Sequence, residues 1–199
     1  MNIYLDGEFG FGLHSILAAH LSVGQELSYA EIERIKSDDE VEKAYLKALN
    51  FLSYRPRSES EVTRRMEKQE TPKEIIGEVL ERLKQNKYVD DRKFADLWVE
   101  NRNEFRPRGA YALRMELRKK GVSDEAIEPA ISNLDEEKLA LHAARKTLKR
   151  YENLPHKEFQ NKIYGYLSRR GFMYDVIKTT INALRSEVDA DLESKEVLK

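Results

Sequence analysis

Two segments of the sequence concentrate basic side chains around tyrosines. Residues 106–120 contain six basic side chains against one acid, Glu116, with Tyr111 among them. Residues 141–170 contain eight basic side chains against Glu152 and Glu158, with three tyrosines nearby. A basic stripe along packed helices attracts a phosphate backbone or an acidic protein groove. The pattern favours an anionic partner over the alternative, an ordinary solvated helix face.

Motifs of catalysis and of metal binding do not accompany these clusters. The sequence contains no phosphate-binding loop, no GxSxG elbow and no HExxH pair. It has no cysteine, and its four histidines are too scattered for metal-ligand spacing. We expect a protein that is not an enzyme and that uses no metal and no cofactor.

Composition narrows the class of protein further. The chain has 199 residues, of which 36% are charged, and its mean hydropathy is −0.71. No apolar stretch is long enough for a membrane span, and the N-terminus lacks the layout of a secretory signal. Absence of cysteine fits a reducing cytoplasm. The net charge of −1 is uneven, because residues 41–184 hold 30 basic against 23 acidic side chains.

A repeated unit must position the cations. "YRPRS" at 54–58 matches "FRPRG" at 105–109, and the match continues at an offset of 51 residues through the surrounding apolar positions. "LRKKGVSDEAIEPAISNL" at 117–134 falls on "LSRRGFMYDVIKTTINAL" at 167–184. The self-similarity predicts three copies of a unit of about fifty residues. We place them at 38–89, 90–134 and 135–184, with an acidic tail that frays at 185–199.

Each unit is predicted to contain three helices. Val41, Ala44, Tyr45 and Ala48 follow the spacing of one buried helix face, and Trp98 is expected in the core. Helix starts are expected at three places, from capping boxes at Ser37–Glu40 and Ser58–Glu61 and from Thr71 followed by Pro72.

The later repeats are predicted to begin at Asp90 and Asp135, and Gly121 and Gly171 to end their middle helices in a left-handed conformation. The first repeat has Glu70 at that place, which predicts a different turn. Because units of this size bury little core alone, neighbouring repeats should stack into an elongated, curved, all-α body.

The prolines of the repeated motif explain its position. Pro56 and Pro107 remove a backbone donor and bias the preceding residue away from helix, so each should lie between the first two helices of its unit. Asp6 and Gly7 at the N-terminus suit a tight β-hairpin. We expect residues 1–37 to form this hairpin and a short helix from Ser28, clamped on the first repeat.

These residues carry a resemblance to a known family. "YLKALNFLSYRPRSESEVTRRM", "YVDDRKFADLWVENRNEFRPRGAYALRMELRKKGVSDEAI" and the leading "IYLDGEFGFGL" resemble the RecX family of bacterial regulators of the RecA recombinase. The resemblance covers nearly the whole chain and weakens in the third repeat. It implies three tandem three-helix repeats, and binding in the groove of the RecA filament on single-stranded DNA.

The resemblance also implies a mode of action. The family modulates, mainly by inhibition, the ATPase, strand-exchange and coprotease activities of RecA, in DNA repair, recombination and the SOS response. We expect a cytoplasmic monomer without membrane association, with possible direct contact to DNA. By analogy, the partner-binding candidates are Arg55, Arg57, Arg106, Arg108, Arg118, Lys119, Lys120, Arg145, Lys149, Arg169 and Arg170.

Two other functions remain open. A protein that binds DNA on its own through the basic face needs no RecA and shows a steep salt dependence. A scaffold for another filament is the third possibility. Sequence-specific reading of duplex DNA is disfavoured, because the third helices of the first two repeats, "KEIIGEVLERLKQN" and "DEAIEPAISNL", are acidic or neutral.

Overall fold

The chain divides after Asp90 into two units, and the computed structural model describes the backbone of residues 1–197 and the side chains of residues 1–188. The N-terminal unit contains β1 (Asn2–Leu5), β2 (Glu8–Gly12), α1 (Ser15–Ala18), α2 (Tyr29–Ser53), α3 (Glu59–Glu67) and α4 (Lys73–Gln85). The C-terminal unit contains α5 (Asp91–Phe105), α6 (Ala110–Lys119), α7 (Asp124–Ile131), α8 (Glu136–Tyr151), α9 (His156–Ser168) and α10 (Tyr174–Val197). None of the helices in residues 1–197 is long and apolar enough to cross a membrane.

Each repeat encloses a core of its own. In the first repeat, Val62, Val79 and Leu83 are fully buried where α2, α3 and α4 meet. Separate buried clusters lie among α5–α7 and among α8–α10. The predicted all-α fold with three tandem three-helix repeats is confirmed. Trp98 packs at the margin of the second core and is half-buried rather than enclosed.

The first long helix differs from its prediction. A capping box closes its start at Ser28, where the hydroxyl accepts from the Glu31 backbone and the Glu31 carboxylate accepts from the Ser28 N–H. α2 then continues without interruption to Ser53, so the helix start predicted at Ser37–Glu40 is wrong. No glycine or proline separates the two caps, and the backbone has no reason to leave the helix.

The hairpin and α1 are held to α2. β1 and β2 pair antiparallel around Asp6 and Gly7, whose φ values of 51° and 88° are those of the predicted tight turn. The His14 backbone N–H donates to the Asp39 carboxylate on α2 at 2.7 Å. Burial opposes ionisation of Asp39, but this bond and the Lys43 ammonium outweigh it and lower the pKa of Asp39.

The turns that end the middle helices share one conformation. Gly121 and Gly171 have φ values of 79° and 81°, as predicted. Glu70 has a φ of 59°, so the first repeat makes the same left-handed turn without a glycine, and the expectation of a different turn is wrong. The Thr71 N–H bonds to the Met66 carbonyl at 3.2 Å, as the Val122 and Phe172 N–H groups bond in their own repeats.

Two other boundaries shift. α4 begins at Lys73 with Pro72 as its N-cap, one residue later than the start expected from Thr71. α10 extends to Val197, and the Val188 side chain is buried, so the predicted fraying tail at 185–199 is helical through most of its length. Residues 198 and 199 lie outside the described residues.

Candidate interaction surface

A carboxylate in the second repeat gathers the cations around it. Glu116 on α6 accepts from the Trp98 indole N–H and from the Arg102 Nε, both on α5 and both at 2.8 Å. Arg108 Nε lies 2.8 Å from the other Glu116 oxygen. We call these residues, together with Lys120, the Glu116 cluster. One half-buried acid thus forms ion pairs with two guanidinium groups.

Two of these cations lie over the Trp98 ring. The Arg102 guanidinium lies 4.5 Å and the Lys120 ammonium 5.1 Å from the ring centroid, within the range of cation–π attraction. Arg102 and Arg108 are two cations on the one Glu116 carboxylate, so this group of three side chains carries a net positive charge. The ring and the carboxylate restrict the side chains of these cations and so preorganise them.

In the first copy of the repeated motif, both arginines have partners within the same repeat. Both terminal nitrogens of Arg55 donate to the Glu61 carboxylate, at 2.9 and 3.1 Å. The Arg57 guanidinium stacks over the Phe51 ring at 4.0 Å, and burial lowers the pKa of Arg57. Pro56 lies in the connection between α2 and α3, as the motif predicts. In the first repeat, both arginines therefore contact side chains at the corner between α2 and α3.

The second copy leaves an arginine exposed. Arg106, at the position of Arg55, makes no ion pair with any side chain in residues 1–188. The reason is visible in the sequence: Ser58 and Glu61 of the first repeat correspond to Gly109 and Ala112 in the second. Because Ala112 stands at the position of Glu61, Arg106 lacks the carboxylate partner that Arg55 has.

Gly109 also permits a close backbone contact between the second and third repeats. Its N–H donates to the Arg170 carbonyl at 3.0 Å, and the Arg170 guanidinium donates to the Pro107 carbonyl at 3.2 Å. A Cβ on Gly109 would lie 2.2 Å from the Gly171 carbonyl oxygen. The Ala110 N–H donates to Glu136 of α8. Arg170 thus has a structural task in joining the repeats.

Two further candidates are paired with acids. Arg118 on α6 forms a bidentate pair with Asp124 on α7 at 2.8 Å, which raises the pKa of Arg118. Arg145 on α8 pairs with Glu187 on α10, which raises the pKa of Arg145. Both pairs are exposed, so a partner's anion can compete with the acid at little cost.

The candidates therefore fall into three groups. Arg108 and Lys120 come together in the Glu116 cluster, whereas Arg55, Arg57, Arg118, Arg145 and Arg170 have other partners within the chain. Four are exposed and make no ion pair among the described side chains. They are Arg106, Lys119, Lys149 and Arg169.

Sequence reasoning missed Arg102 and the role of Trp98 and Glu116. The signal was present as two pairs at i, i+4 spacing, Trp98 with Arg102 and Glu116 with Lys120, each of which shares one helix face.

Among the described residues, no group of three or more His, Asp or Glu side chains is arranged to hold a metal ion.

Comparisons with known proteins cover all three repeats. Family models described as RecX, first, second and third three-helix domain match residues 44–83, 90–131 and 135–181. The "Regulatory protein RecX" of Bacillus subtilis (strain 168) is 36% identical over 203 residues, covering 100% of this chain and 76% of the relative. That of Listeria monocytogenes serotype 4a (strain HCC23) is 34% identical over 207 residues, covering 100% and 77%.

Solved structures agree with this match. A structure titled "Crystal structure of regulatory protein RecX" aligns with a TM-score of 0.78 and 29% identity, covering 91% of this chain and 94% of that one. "Crystal structure of RecX from Lactobacillus salivarius" aligns with a TM-score of 0.68 and 29% identity, covering 74% and 97%.

Proposed function

The chain belongs to the RecX family, and we propose that it binds the RecA filament on single-stranded DNA and modulates, mainly by inhibition, its ATPase, strand-exchange and coprotease activities. The match of all three repeats to RecX three-helix domains carries this proposal. Relatives that cover the full chain share the name of a regulatory protein, which supports a regulatory role.

The second repeat supplies the contact surface in this proposal. Arg106 and Lys119 are exposed and unpaired among the described side chains, and the Glu116 cluster adds held cations on the same two helices and their connection. Charges that project into solvent speed association with an oppositely charged surface. An acidic surface of the filament or its phosphates would meet Arg106 and Lys119, which no described side chain neutralises.

The test is the single-stranded-DNA-dependent ATPase of the cognate RecA, titrated with this protein. We expect suppression at amounts well below one copy per nucleotide-binding site. An Arg106→Glu, Lys119→Glu variant should need about 5- to 30-fold more protein for the same suppression, which corresponds to about 1–2 kcal/mol of binding. Lys68→Glu is the matched control, since Lys68 is exposed and occupies the position of Lys119 in the first repeat.

Other results would change the assignment. If saturating protein leaves the ATPase unchanged while naked DNA binds with a steep salt slope, the stand-alone DNA-binding function replaces the filament regulator. If Lys68→Glu weakens suppression as much as the double variant, the contact surface is not the second repeat. Sedimentation of the free protein tests the proposed monomer.

A further inference from the structure

Two grooves run along α9 in the third repeat, one on each side. The first has a volume of about 570 Å³ and is lined by Tyr151, Glu158, Asn161, Lys162, Gly165 and Arg169. The second, of about 360 Å³, separates α9 from α10, and its lining includes Tyr164, Tyr174, Lys178 and Asn182. Asn161 lines both grooves, so they adjoin across α9. Together they form a continuous surface, which we call the α9 surface.

Two tyrosines of this surface, Tyr164 and Tyr174, lie outside the core. Tyr164 is 44% and Tyr174 62% exposed, and their ring centroids lie 6.4 Å apart at an interplanar angle of 62°. Tyr151 stands at the first groove and is half-buried against the third core. Exposed aromatic rings add little to folding stability, but each offers a face on which a nucleobase can stack.

The charge of the α9 surface complements a phosphate backbone. Three of its cations, Lys162, Arg169 and Lys178, make no ion pair among the described side chains, and Glu158 is the acid in the linings of the two grooves. Asn161 and Asn182 are exposed and add amide groups that both donate and accept hydrogen bonds. Cations, amides and aromatic rings thus come together along α9 and the first turns of α10, with Tyr151 at the end of α8.

Gly165 lines the first groove beside Arg169. A glycine inside a helix destabilises the helix relative to alanine. At this position a Cβ would lie 3.2 Å from the Arg169 Nη1, so the Arg169 guanidinium crosses the helix close to the Gly165 backbone. The helix is weakened at the place where the guanidinium crosses it.

We propose that the α9 surface binds single-stranded nucleic acid, with bases stacked on Tyr164 and Tyr174 and phosphates bound by Lys162, Arg169 and Lys178. A single strand fits better than a duplex, because only unstacked bases expose their faces to aromatic side chains. The helix from Glu158 to Arg169 is about 17 Å long, enough for a few nucleotides. The binding requires no recombinase and does not involve the Glu116 cluster.

The test is fluorescence anisotropy of a labelled oligothymidylate of about 16 nucleotides with the full chain. Tyr164→Ala, Tyr174→Ala together should weaken binding by at least about 5-fold, whereas Tyr164→Phe, Tyr174→Phe should retain it, because the ring does the stacking. Lys178→Ala should reduce the slope of log affinity against log salt by about 0.7. Tyr29→Ala, Tyr54→Ala is the matched control, since these tyrosines are 89% and 76% exposed in the N-terminal unit.

Four results would overturn the proposal. They are no binding of the oligonucleotide by the wild type, equal loss in the control variant, equal affinity for a duplex of the same length, and displacement by polyglutamate as efficient as by unlabelled oligothymidylate. The RecA ATPase titration run on the same tyrosine variants separates the two proposals. If the variants lose oligonucleotide binding but still suppress the ATPase, the filament-regulator proposal stands by itself. If the protein binds the oligonucleotide but does not suppress the ATPase, the α9 surface proposal stands and the filament-regulator proposal fails.

Discussion

The contact between Gly109 and Gly171 makes a quantitative prediction about stability. Gly109 has an ordinary extended backbone, with φ −70° and ψ 158°, so alanine is allowed there by conformation. Its Cβ would, however, lie 2.2 Å from the Gly171 oxygen and 2.7 Å from the Phe172 nitrogen. Both are backbone atoms, which cannot rotate away. Gly109→Ala should therefore destabilise the C-terminal unit by about 1–3 kcal/mol through overpacking alone.

Gly171→Ala combines two costs. Its φ of 81° lies in the left-handed region, where alanine costs about 1–2 kcal/mol. Its Cβ would also lie 2.4 Å from the Ala112 Cβ. We expect a loss of about 2–5 kcal/mol. Gly24→Ala isolates the conformational cost, because Gly24 has a φ of 85° and nothing within 4 Å of the added Cβ, and should cost about 1–2 kcal/mol.

The assay is urea unfolding, followed by far-UV circular dichroism for both units and by the fluorescence of Trp98, the single tryptophan, for the C-terminal unit. We expect Gly171→Ala to lower the free energy of unfolding more than either Gly109→Ala or Gly24→Ala. If Gly171→Ala costs no more than Gly24→Ala and Gly109→Ala is neutral, the repeats are not in backbone contact, and the reasoning fails.

Three further predictions concern single side chains. Glu116→Gln should shift the emission of Trp98 and cost about 1 kcal/mol in urea unfolding, because two partly exposed arginines lose their counter-charge; unchanged emission would contradict the Glu116 cluster. Glu70→Gly should stabilise the N-terminal unit by about 0.5 kcal/mol, since relief of the left-handed backbone exceeds the entropy cost of glycine, and a lower urea midpoint would refute this. The folded-state pKa of Asp39 is depressed, so its carboxylate stabilises the fold above the unfolded-state pKa of about 3.9 and loses that effect as pH falls through the folded value. Urea midpoints between about pH 5 and pH 2 should thus fall more steeply in the wild type than in Asp39→Asn, and parallel curves would contradict the role of this group.

Much of the fold could be predicted from the sequence, because the interactions that define it are local. Apolar spacing sets the buried face of each helix, the Ser58–Glu61 capping box closes within one turn, and Pro56 and Pro107 act on the residues beside them. The period of about fifty residues then predicts the number of repeats. Local signals failed at Ser37, where a capping pattern occurs inside a continuous helix that nothing interrupts.

The tertiary structure decided which cations are paired, because many of the acids that pair with them lie on other helices. Arg106 and Arg108 are two residues apart and have identical chemistry, yet only Arg108 faces Glu116. Arg145 meets Glu187 across 42 residues of chain. Gly109 meets Gly171, and Glu70 adopts a left-handed backbone that its side chain disfavours. These contacts join residues that lie far apart in the sequence or oppose a local backbone preference, so they are settled by the packing of neighbouring helices and not by sequence spacing alone.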